Sequence, residues 1–226
     1  MGHVREFLSV KTALQAAGAG VTRALIGADK RSGRARLAIA GGSAAQALAH
    51  VTLPDDVRAR LRLTWVDERC VAVTDKDSNR GAAERAGLLP RGGAVTLPLW
   101  HDGETPGQAC ARVAAGLAAE FAGGLDVALL GLGEDGHIAS LFPGHPVLLA
   151  TEPVAHVGDS PKPPADRMTL TLPILRRAGL CVLVATGEGK RAALTRLRRG
   201  DDALPATGLE RLVVITDLEL PDFLAI

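Results

Sequence analysis

This sequence of 226 residues has no large excess of positive or negative charge, because 26 Lys and Arg residues are balanced by 25 Asp and Glu residues. A balanced chain has no overall field that would draw it to nucleic acid or to an anionic membrane. The sequence also lacks an apolar run near the roughly 20 residues that a membrane-spanning helix needs, and its N-terminus lacks the features of a secretory signal. We therefore expect a soluble, cytoplasmic protein with no nucleic-acid partner and no membrane partner.

Cysteine is scarce, with only Cys70, Cys110 and Cys181 in the chain. They are odd in number, far apart and without a C-x-x-C pairing, so a disulfide framework is excluded and reduced thiols are expected. Apolar residues make up 47% of the sequence, enough for one sizeable core. Length and composition together predict a single domain over residues 1–226.

Short apolar runs alternate with longer stretches of helical periodicity. The runs are RLAIA (36–40), LRLTWV (61–66), AVTLPL (94–99), DVALLGL (126–132), LCVLVA (180–185) and RLVVIT (211–216). Helices are predicted from Thr105 to about residue 122, and near residues 4–25, 44–51, 78–89, 172–178 and 188–199. This alternation predicts an α/β fold with a mostly parallel sheet covered on both faces by helices.

One segment, residues 151–168, departs from this regularity because it holds Pro153, Pro161, Pro163 and Pro164. We interpret it as a loop with a short strand at PVAHV (153–157). Such a long loop beside a site is a candidate flap.

Polar clusters follow four of the predicted strands. They are GGSA (41–44), DERC (67–70), GEDGH (133–137) and TGEGK (186–190). The carboxyl ends of parallel strands share one edge of the sheet, where ligands of open α/β folds bind. The pattern therefore predicts that these clusters meet at one pocket.

The third cluster contains Gly131, Gly133 and Gly136 at the G-x-G-x-x-G spacing of dinucleotide sites. Glu134 and Asp135 lie inside it, where a pyrophosphate would be repelled, and the run follows the fourth strand instead of opening the fold. We interpret the glycines as allowing close approach of a substrate.

His137 follows this glycine-rich turn and is the candidate catalytic base, although a lone histidine is often structural. Either Asp135 or Asp67 is expected to orient it. A metal site built from Asp67, Glu68, His137 and His145 lacks the short ligand spacings of such sites, so we predict no metal.

The other clusters carry candidate phosphate ligands. Gly41, Gly42 and Ser43 present amides and a hydroxyl at a helix start, although Ser43 is equally suited to an ordinary N-cap. Lys190 lies in the first turn of its helix, where a cation is unfavourable unless an anion shares the site. TGEGK is not a Walker loop, because Val184 and Arg191 stand where that pattern needs Gly and Ser or Thr.

DERC offers Arg69, whose planar fork suits phosphate, and Asp67, which can bind sugar hydroxyls or orient a catalytic group. The alternative is a solvated ion cluster, the usual fate of a charge run. Ser78 or Asp77 is expected to cap the next helix and to place Asn79 near the pocket.

The segments GGS, WVDERCVAVTDKDSN, DVALLGLGEDGHIASLFPG, RMTLTLPIL and TGEGK have the order and spacing seen in 6-phosphogluconolactonases, so residues 36–200 resemble that family. The resemblance implies a Rossmann-like three-layer α/β/α sandwich of the glucosamine-6-phosphate deaminase and ribose-5-phosphate isomerase group. It implies hydrolysis of 6-phospho-D-glucono-1,5-lactone without a cofactor. We expect the protein to be a monomer or weak homo-oligomer. Ala44 and Ala45 depart from the Thr-Pro that is usual after GGS in the family.

By this resemblance His137 is the base that activates water, and Arg69 and Lys190 hold the phosphate. The full set of predicted substrate-binding residues is Gly41, Gly42, Ser43, Glu68, Arg69, Asn79, Gly133, Gly136, Arg167 and Lys190, and the predicted catalytic residues are His137, Asp135 and Asp67. Two alternatives stay open: an isomerase or deaminase of the same fold group, and a non-catalytic sugar-phosphate sensor.

Overall fold

Seven parallel strands form the central sheet of the computed structural model, which describes residues 3–89 and 94–220. Ten strands occur in the described ranges: β1 (His3–Glu6), β2 (Ala35–Ile39), β3 (Leu61–Trp65), β4 (Asp67–Arg69), β5 (Val95–Leu97), β6 (Val127–Gly131), β7 (Val154–Val157), β8 (Arg167–Leu170), β9 (Leu180–Val184) and β10 (Leu212–Thr216). The sheet order is β1-β10-β9-β6-β2-β3-β5. All six predicted strands belong to this sheet, so the predicted α/β class with a mostly parallel sheet is confirmed.

Seven α-helices connect the strands in the described ranges: α1 (Val10–Ser32), α2 (Gly42–Ala45), α3 (Asp55–Ala59), α4 (Asn79–Arg85), α5 (Pro106–Phe121), α6 (Leu172–Arg176) and α7 (Arg191–Arg198). Short 3-10 turns at Gln46–His50 and Glu188–Lys190 adjoin α2 and α7. The predicted helix near 44–51 is therefore a short α-helix that tightens into a 3-10 turn. The helix predicted from about residue 188 begins in the same way.

The helix predicted after Thr105 is present as α5. The Thr105 hydroxyl accepts a hydrogen bond from the Gln108 amide, and the Gln108 side chain returns one to the Thr105 amide. This capping box satisfies N–H groups that a helix start otherwise leaves free. Ala122, with φ 48°, ends the helix just before Gly123.

The N-terminal region differs from the helix predicted near residues 4–25. Residues 3–6 form β1, which pairs in parallel with β10, and the helix begins only after the N-cap Ser9 and continues to Ser32. The prediction was wrong at both ends. β1 has no alternating pattern of its own, so its conformation depends on hydrogen bonds to a strand more than 200 residues away.

A second sheet was not predicted. It is antiparallel, has the order β4-β8-β7, and brings residues 67–69 next to residues 167–170. The short strand expected at 153–157 is present as β7, but residues 167–170 pair with it as β8 instead of belonging to a loop. The candidate flap is therefore the connection between two paired strands, residues 158–166.

Buried apolar side chains form one connected core that includes residues from α1, the central sheet, α5 and α7. Its largest fully buried members include Trp65 and Phe121. No helix within residues 3–89 and 94–220 has the length and apolar character needed to cross a membrane. The single domain over residues 1–226 remains a prediction, since it includes residues outside the described ranges.

Candidate functional site

A cavity of about 300 Å³ is lined by residues that follow strands β2, β3, β6 and β9. The lining residues that the sequence predicted are Gly41, Gly42, Ser43, Asp67, Arg69, Asn79, Gly133, His137, Arg167 and Lys190. The polar clusters therefore meet at one pocket, as the shared edge of a parallel sheet requires. Glu68, Asp135 and Gly136 do not line the cavity, and each has a different position.

His137 and Asp135 form a close pair beside the cavity. His137 Nδ1 lies 2.6 Å from Asp135 Oδ1, and the imidazole is only 17% exposed. The ring also packs on Phe142, with centroids 4.7 Å apart. Because an ionised carboxylate can only accept, Nδ1 carries the proton and donates it to Asp135. Nε2 is then left with its lone pair, and it has no hydrogen-bond partner among the described residues.

The protonation of this pair follows from its surroundings. Burial lowers the pKa of His137, and the positive charge of Lys162 acts in the same direction, while Asp135 and Asp67 oppose them. Burial alone would raise the pKa of Asp135, but its hydrogen bond with His137 and the charge of Lys162 outweigh this and hold it low. At neutral pH the pair is therefore a neutral imidazole beside a carboxylate, the state that a general base requires.

Glycine is required in the turn that carries this pair. A Cβ on Gly133 would overlap the His137 ring and the Asp135 carboxylate. Gly136 has φ 93° and lies against Leu204, so its role is in the backbone of the turn. Of the three glycines with the dinucleotide-loop spacing, Gly133 is thus the one that allows the close packing of the histidine and the acid.

The Asp67 carboxylate is hydrogen-bonded to side chains other than His137. Its Oδ2 accepts a hydrogen bond from Ser140 Oγ at 2.8 Å, and its Oδ1 accepts one from Asn79 Nδ2 at 3.1 Å. Arg167 Nη1 lies 3.9 Å from Oδ2. Of the two carboxylates that the sequence offered, Asp135 is the one that contacts the imidazole, while Asp67 faces the cavity from a fixed position.

Glu68 is buried under the start of α4, with 4% of its surface exposed. Its carboxylate accepts hydrogen bonds from the backbone N–H groups of Arg69, Asn79 and Arg80 at 2.7–2.8 Å. The Ser78 hydroxyl also donates to it, while Ser78 caps α4 as one of the two predicted caps. Glu68 was predicted among the substrate-binding residues, but it lies behind the wall of the cavity and does not line it.

The turn after β2 brings Gly41, Gly42 and Ser43 to the cavity. Gly41 occupies the N-cap position of α2, so Ser43 is inside the helix and is not its cap. A Cβ on Gly41 would overlap the Asn79 side chain, and Gly42 has φ 63°, so both positions favour glycine. Ala44, where the family usually has Thr, also lines the cavity.

Three predicted cations line the same cavity. Arg69 donates from Nη1 to the Asp77 carbonyl at 2.8 Å, and its Nε is buried without a hydrogen-bond partner in the described chain. Lys190 is half-buried, and its ammonium makes no ion pair with any residue described.

Arg167 is 3% exposed, and its guanidinium donates to the carbonyls of Lys162, Pro163 and Pro164. Burial and the neighbouring Arg69 lower its pKa from the ordinary arginine value. Arg167 therefore holds the connection between β7 and β8 in place.

Lys162 and Glu134 line the cavity but were not predicted. Lys162 Nζ lies 3.3 Å from Asp135 Oδ1, the same oxygen that contacts His137. Glu134 lies against Gly189, where a Cβ would crowd its carboxylate. Glu134 was dismissed only as an obstacle to pyrophosphate. Lys162 had no sequence signal apart from its place in the proline-rich segment.

No group of three or more His, Cys, Asp or Glu side chains within residues 3–89 and 94–220 is arranged to hold a metal ion. His145, one member of the metal set considered above, instead has Nε2 2.9 Å from Asp159 Oδ1.

Comparison with known proteins adds four similarities. Residues 9–215 match the family described as glucosamine-6-phosphate isomerases/6-phosphogluconolactonase. The 6-phosphogluconolactonase of Rattus norvegicus is 41% identical over 77% of this chain and 73% of its own, and that of Caulobacter vibrioides is 37% identical over 82% of both chains. The crystal structure of a 6-phosphogluconolactonase from Shewanella baltica has a TM-score of 0.81 and 21% identity, covering 96% of this chain and 97% of its own. The last similarity concerns the fold.

Proposed function

The chain belongs to the glucosamine-6-phosphate isomerase/6-phosphogluconolactonase family, and we propose that it hydrolyses 6-phospho-D-glucono-1,5-lactone to 6-phospho-D-gluconate with His137 as the general base. The observation that carries this proposal is the His137–Asp135 pair at 2.6 Å, whose imidazole lines a cavity that Arg69 and Lys190 also line. A base and a set of cations in one pocket suit a substrate with a reactive carbonyl at one end and a phosphate at the other.

The chemistry needs only one base. A six-membered lactone is an activated ester, so water attacks C1 directly if a base accepts its proton. The water oxygen forms a bond to C1, and its proton passes to Nε2 of His137. The bond between C1 and the ring oxygen then breaks, and the imidazolium returns the proton to that oxygen. The carboxylic acid formed ionises and releases one proton to solvent.

Asp135 has two roles in this reaction. It fixes the Nδ1–H tautomer, which leaves Nε2 free to face the water, and its negative charge stabilises the imidazolium that forms. General base catalysis of this kind contributes roughly 10²- to 10⁴-fold to a rate. The backbone of the glycine-rich turn holds His137 and Asp135 in a fixed position relative to the cavity.

The phosphate is held at the other end by Ser43, Arg69 and Lys190, with the amides of Gly41 and Gly42. Two features support this assignment. Arg69 has a buried Nε without a partner among the described residues, and the Lys190 ammonium has no ion pair there. Charge-assisted hydrogen bonds to such donors are worth about 1.5–3 kcal/mol each and fix the lactone for attack.

An isomerase or deaminase would instead have to move a proton at carbon, which calls for a carboxylate base. Asp67 is the buried carboxylate that lines the cavity, but both of its oxygens already accept hydrogen bonds, from Ser140 and Asn79. The imidazole is the better placed base. A non-catalytic sensor would not need a histidine held as a neutral base.

The test measures acid release from freshly prepared phosphogluconolactone, after subtraction of spontaneous hydrolysis. We expect His137→Ala to lower kcat/KM by roughly 10²- to 10⁴-fold. Binding of 6-phosphogluconate should change only a few fold, because the cations remain. His101→Ala is the control, since His101 lies on the surface outside the cavity.

Near-normal turnover by His137→Ala would reject this base. Ammonia release from glucosamine 6-phosphate by the wild-type protein, without acid release from the lactone, would establish the deaminase instead. Binding of phosphogluconate with neither activity would identify a sensor.

A further inference from the structure

We propose that Lys162 is a further catalytic residue, whose ammonium binds the negative charge that develops on the C1 oxygens of the substrate and remains on the carboxylate of the product. The inference rests on the proposed function and adds the group that receives the new charge. Lys162 lies in the proline-rich segment and was not among the cations predicted from the sequence.

The position of Lys162 supports this role. Its ammonium lies 3.3 Å from Asp135 Oδ1, the oxygen that also contacts His137 Nδ1, and its side chain lines the cavity while remaining 42% exposed. Because His137 activates the attacking water, C1 of the substrate must lie next to the imidazole. The ammonium of Lys162, which is beside the imidazole, is then close to C1. Lys162 is therefore at the reacting end of the cavity.

The backbone of Lys162 is anchored, so the ammonium is presented from a fixed point. Its carbonyl accepts hydrogen bonds from Ser160 Oγ and from Arg167 Nη2, both at 2.9 Å, and its N–H donates to Ser160 Oγ at 3.3 Å. Arg167 is buried and belongs to β8. The movement needed when charge appears during the reaction is then confined to the side chain of Lys162, which limits the cost of reorganisation.

The other cations of the cavity are placed for different tasks. The guanidinium of Arg167 is committed to carbonyls at residues 162–164. Arg69 donates to the Asp77 carbonyl and pairs in register with Arg167 across β4 and β8. Lys190 makes no ion pair with Asp135 in the described chain. Of these four cations, Lys162 is the one in contact with the carboxylate of the catalytic pair.

The reaction creates a need for such a cation. The lactone carbonyl is neutral, and the product has a full negative charge at the same carbon. As His137 becomes an imidazolium, Asp135 pairs more strongly with it, and the ammonium of Lys162 is released from that carboxylate toward the C1 oxygens. The contact between the Lys162 ammonium and the C1 oxygens is therefore stronger in the transition state than with the bound lactone. An interaction that strengthens in this way raises kcat.

The experiment compares two ligands that differ only at C1. 6-Phosphogluconate has a carboxylate there, and D-glucitol 6-phosphate has a CH2OH group on the same chain with the same phosphate. Dissociation constants are measured by titration calorimetry for the wild-type protein and for Lys162→Met, Lys162→Arg and Lys190→Met. Lys190→Met is the matched control, because it removes an ammonium from the same cavity.

We expect Lys162→Met to weaken phosphogluconate by at least about tenfold more than it weakens glucitol 6-phosphate, as the loss of a charge-assisted contact implies. Lys162→Arg should recover most of the preference for the acid. Lys190→Met should weaken both ligands by similar factors. In turnover, Lys162→Met should lower kcat with little change in KM, because the bound lactone is uncharged at C1.

Equal loss of both ligands in Lys162→Met would place Lys162 at the phosphate end and overturn the proposal. Unchanged binding of both would overturn it as well. Failure of the wild-type protein to release acid from the lactone would reject the proposed function. The paired binding constants would still decide whether Lys162 binds the carboxylate at C1, since they need no turnover.

Discussion

At the scale of single residues, His137 is a usable base because its neighbours affect its pKa in opposite directions. Burial, the largest effect, and the charge of Lys162 lower the pKa, while the carboxylates of Asp135 and Asp67 raise it. The net result is a pKa below the ordinary value of about 6.5. The imidazole is therefore unprotonated at neutral pH.

Replacing Asp135 by Asn tests this balance. Loss of the carboxylate removes an effect that raises the pKa of His137, so the acidic limb of kcat/KM should move to lower pH. The tautomer is then no longer fixed by an acceptor-only partner, and kcat should fall, by less than the roughly 10²- to 10⁴-fold expected for loss of the base itself. Acid release measured across the pH range, with the spontaneous rate subtracted at each point, gives both quantities.

Asp159→Asn is the matched control. Asp159 Oδ1 lies 2.9 Å from His145 Nε2, a similar carboxylate–imidazole contact that does not line the cavity. It should leave the pH profile unchanged. A shift of the limb to higher pH in Asp135→Asn would show that the carboxylate does not stabilise the imidazolium, and would contradict the arrangement.

At the scale of elements, the junction of β4 and α4 depends on one buried carboxylate. Glu68 accepts from three backbone N–H groups and thereby ties the start of α4 to the small sheet. Asn79, the first residue of α4, then reaches the carbonyl and carboxylate of Asp67. Glu68 therefore influences the cavity through the placement of Asn79 and Arg69.

Glu68→Gln should destabilise the protein by about 1–3 kcal/mol, because the amide NH2 would face a buried backbone donor and leave it unsatisfied. Glu84→Gln on the same helix is the comparison. Glu84 accepts from Arg80 at 2.7 Å on the surface, where ion pairs contribute about 0–1 kcal/mol. Urea unfolding gives the loss in unfolding free energy for each variant. Equal losses would show that the buried hydrogen bonds of Glu68 stabilise the protein no more than the surface ion pair of Glu84.

At the scale of the whole molecule, the cavity is assembled by the sheet order. Residues after β2, β3, β6 and β9 line it, together with the connection between β7 and β8. A ligand that touches all of these binds only the folded protein, since no local segment contains the site. Ligand binding and global stability should therefore be coupled.

We expect 6-phosphogluconate at a hundredfold excess over its Kd to stabilise the fold by about 2.7 kcal/mol and to raise Tm by roughly 5–10 °C. Gluconate, which lacks the phosphate, should have little effect at the same concentration. Arg69→Met should reduce the shift with phosphogluconate. If gluconate and 6-phosphogluconate raised Tm by the same amount, the proposed phosphate-binding role of Arg69 and Lys190 would be ruled out.

The sequence alone determined the features whose causes are local. Apolar runs predicted six strands of the parallel sheet, and the Thr105 cap predicted the start of α5. Because the ends of parallel strands share one edge, the polar clusters after them could be placed in one pocket. Asp135 and His137 are two residues apart in a glycine-rich turn, so their contact was foreseeable, although the choice between Asp135 and Asp67 was not.

Only the tertiary structure decided the features that depend on distant partners. β1 exists because β10 pairs with it, and β4 exists because β8 returns to it about 100 residues later. That same return brings Lys162 to Asp135, and the start of α4 folds over Glu68 and buries it. Strand pairing and burial depend on which segments meet in space, and a short polar stretch such as DERC does not encode its partner.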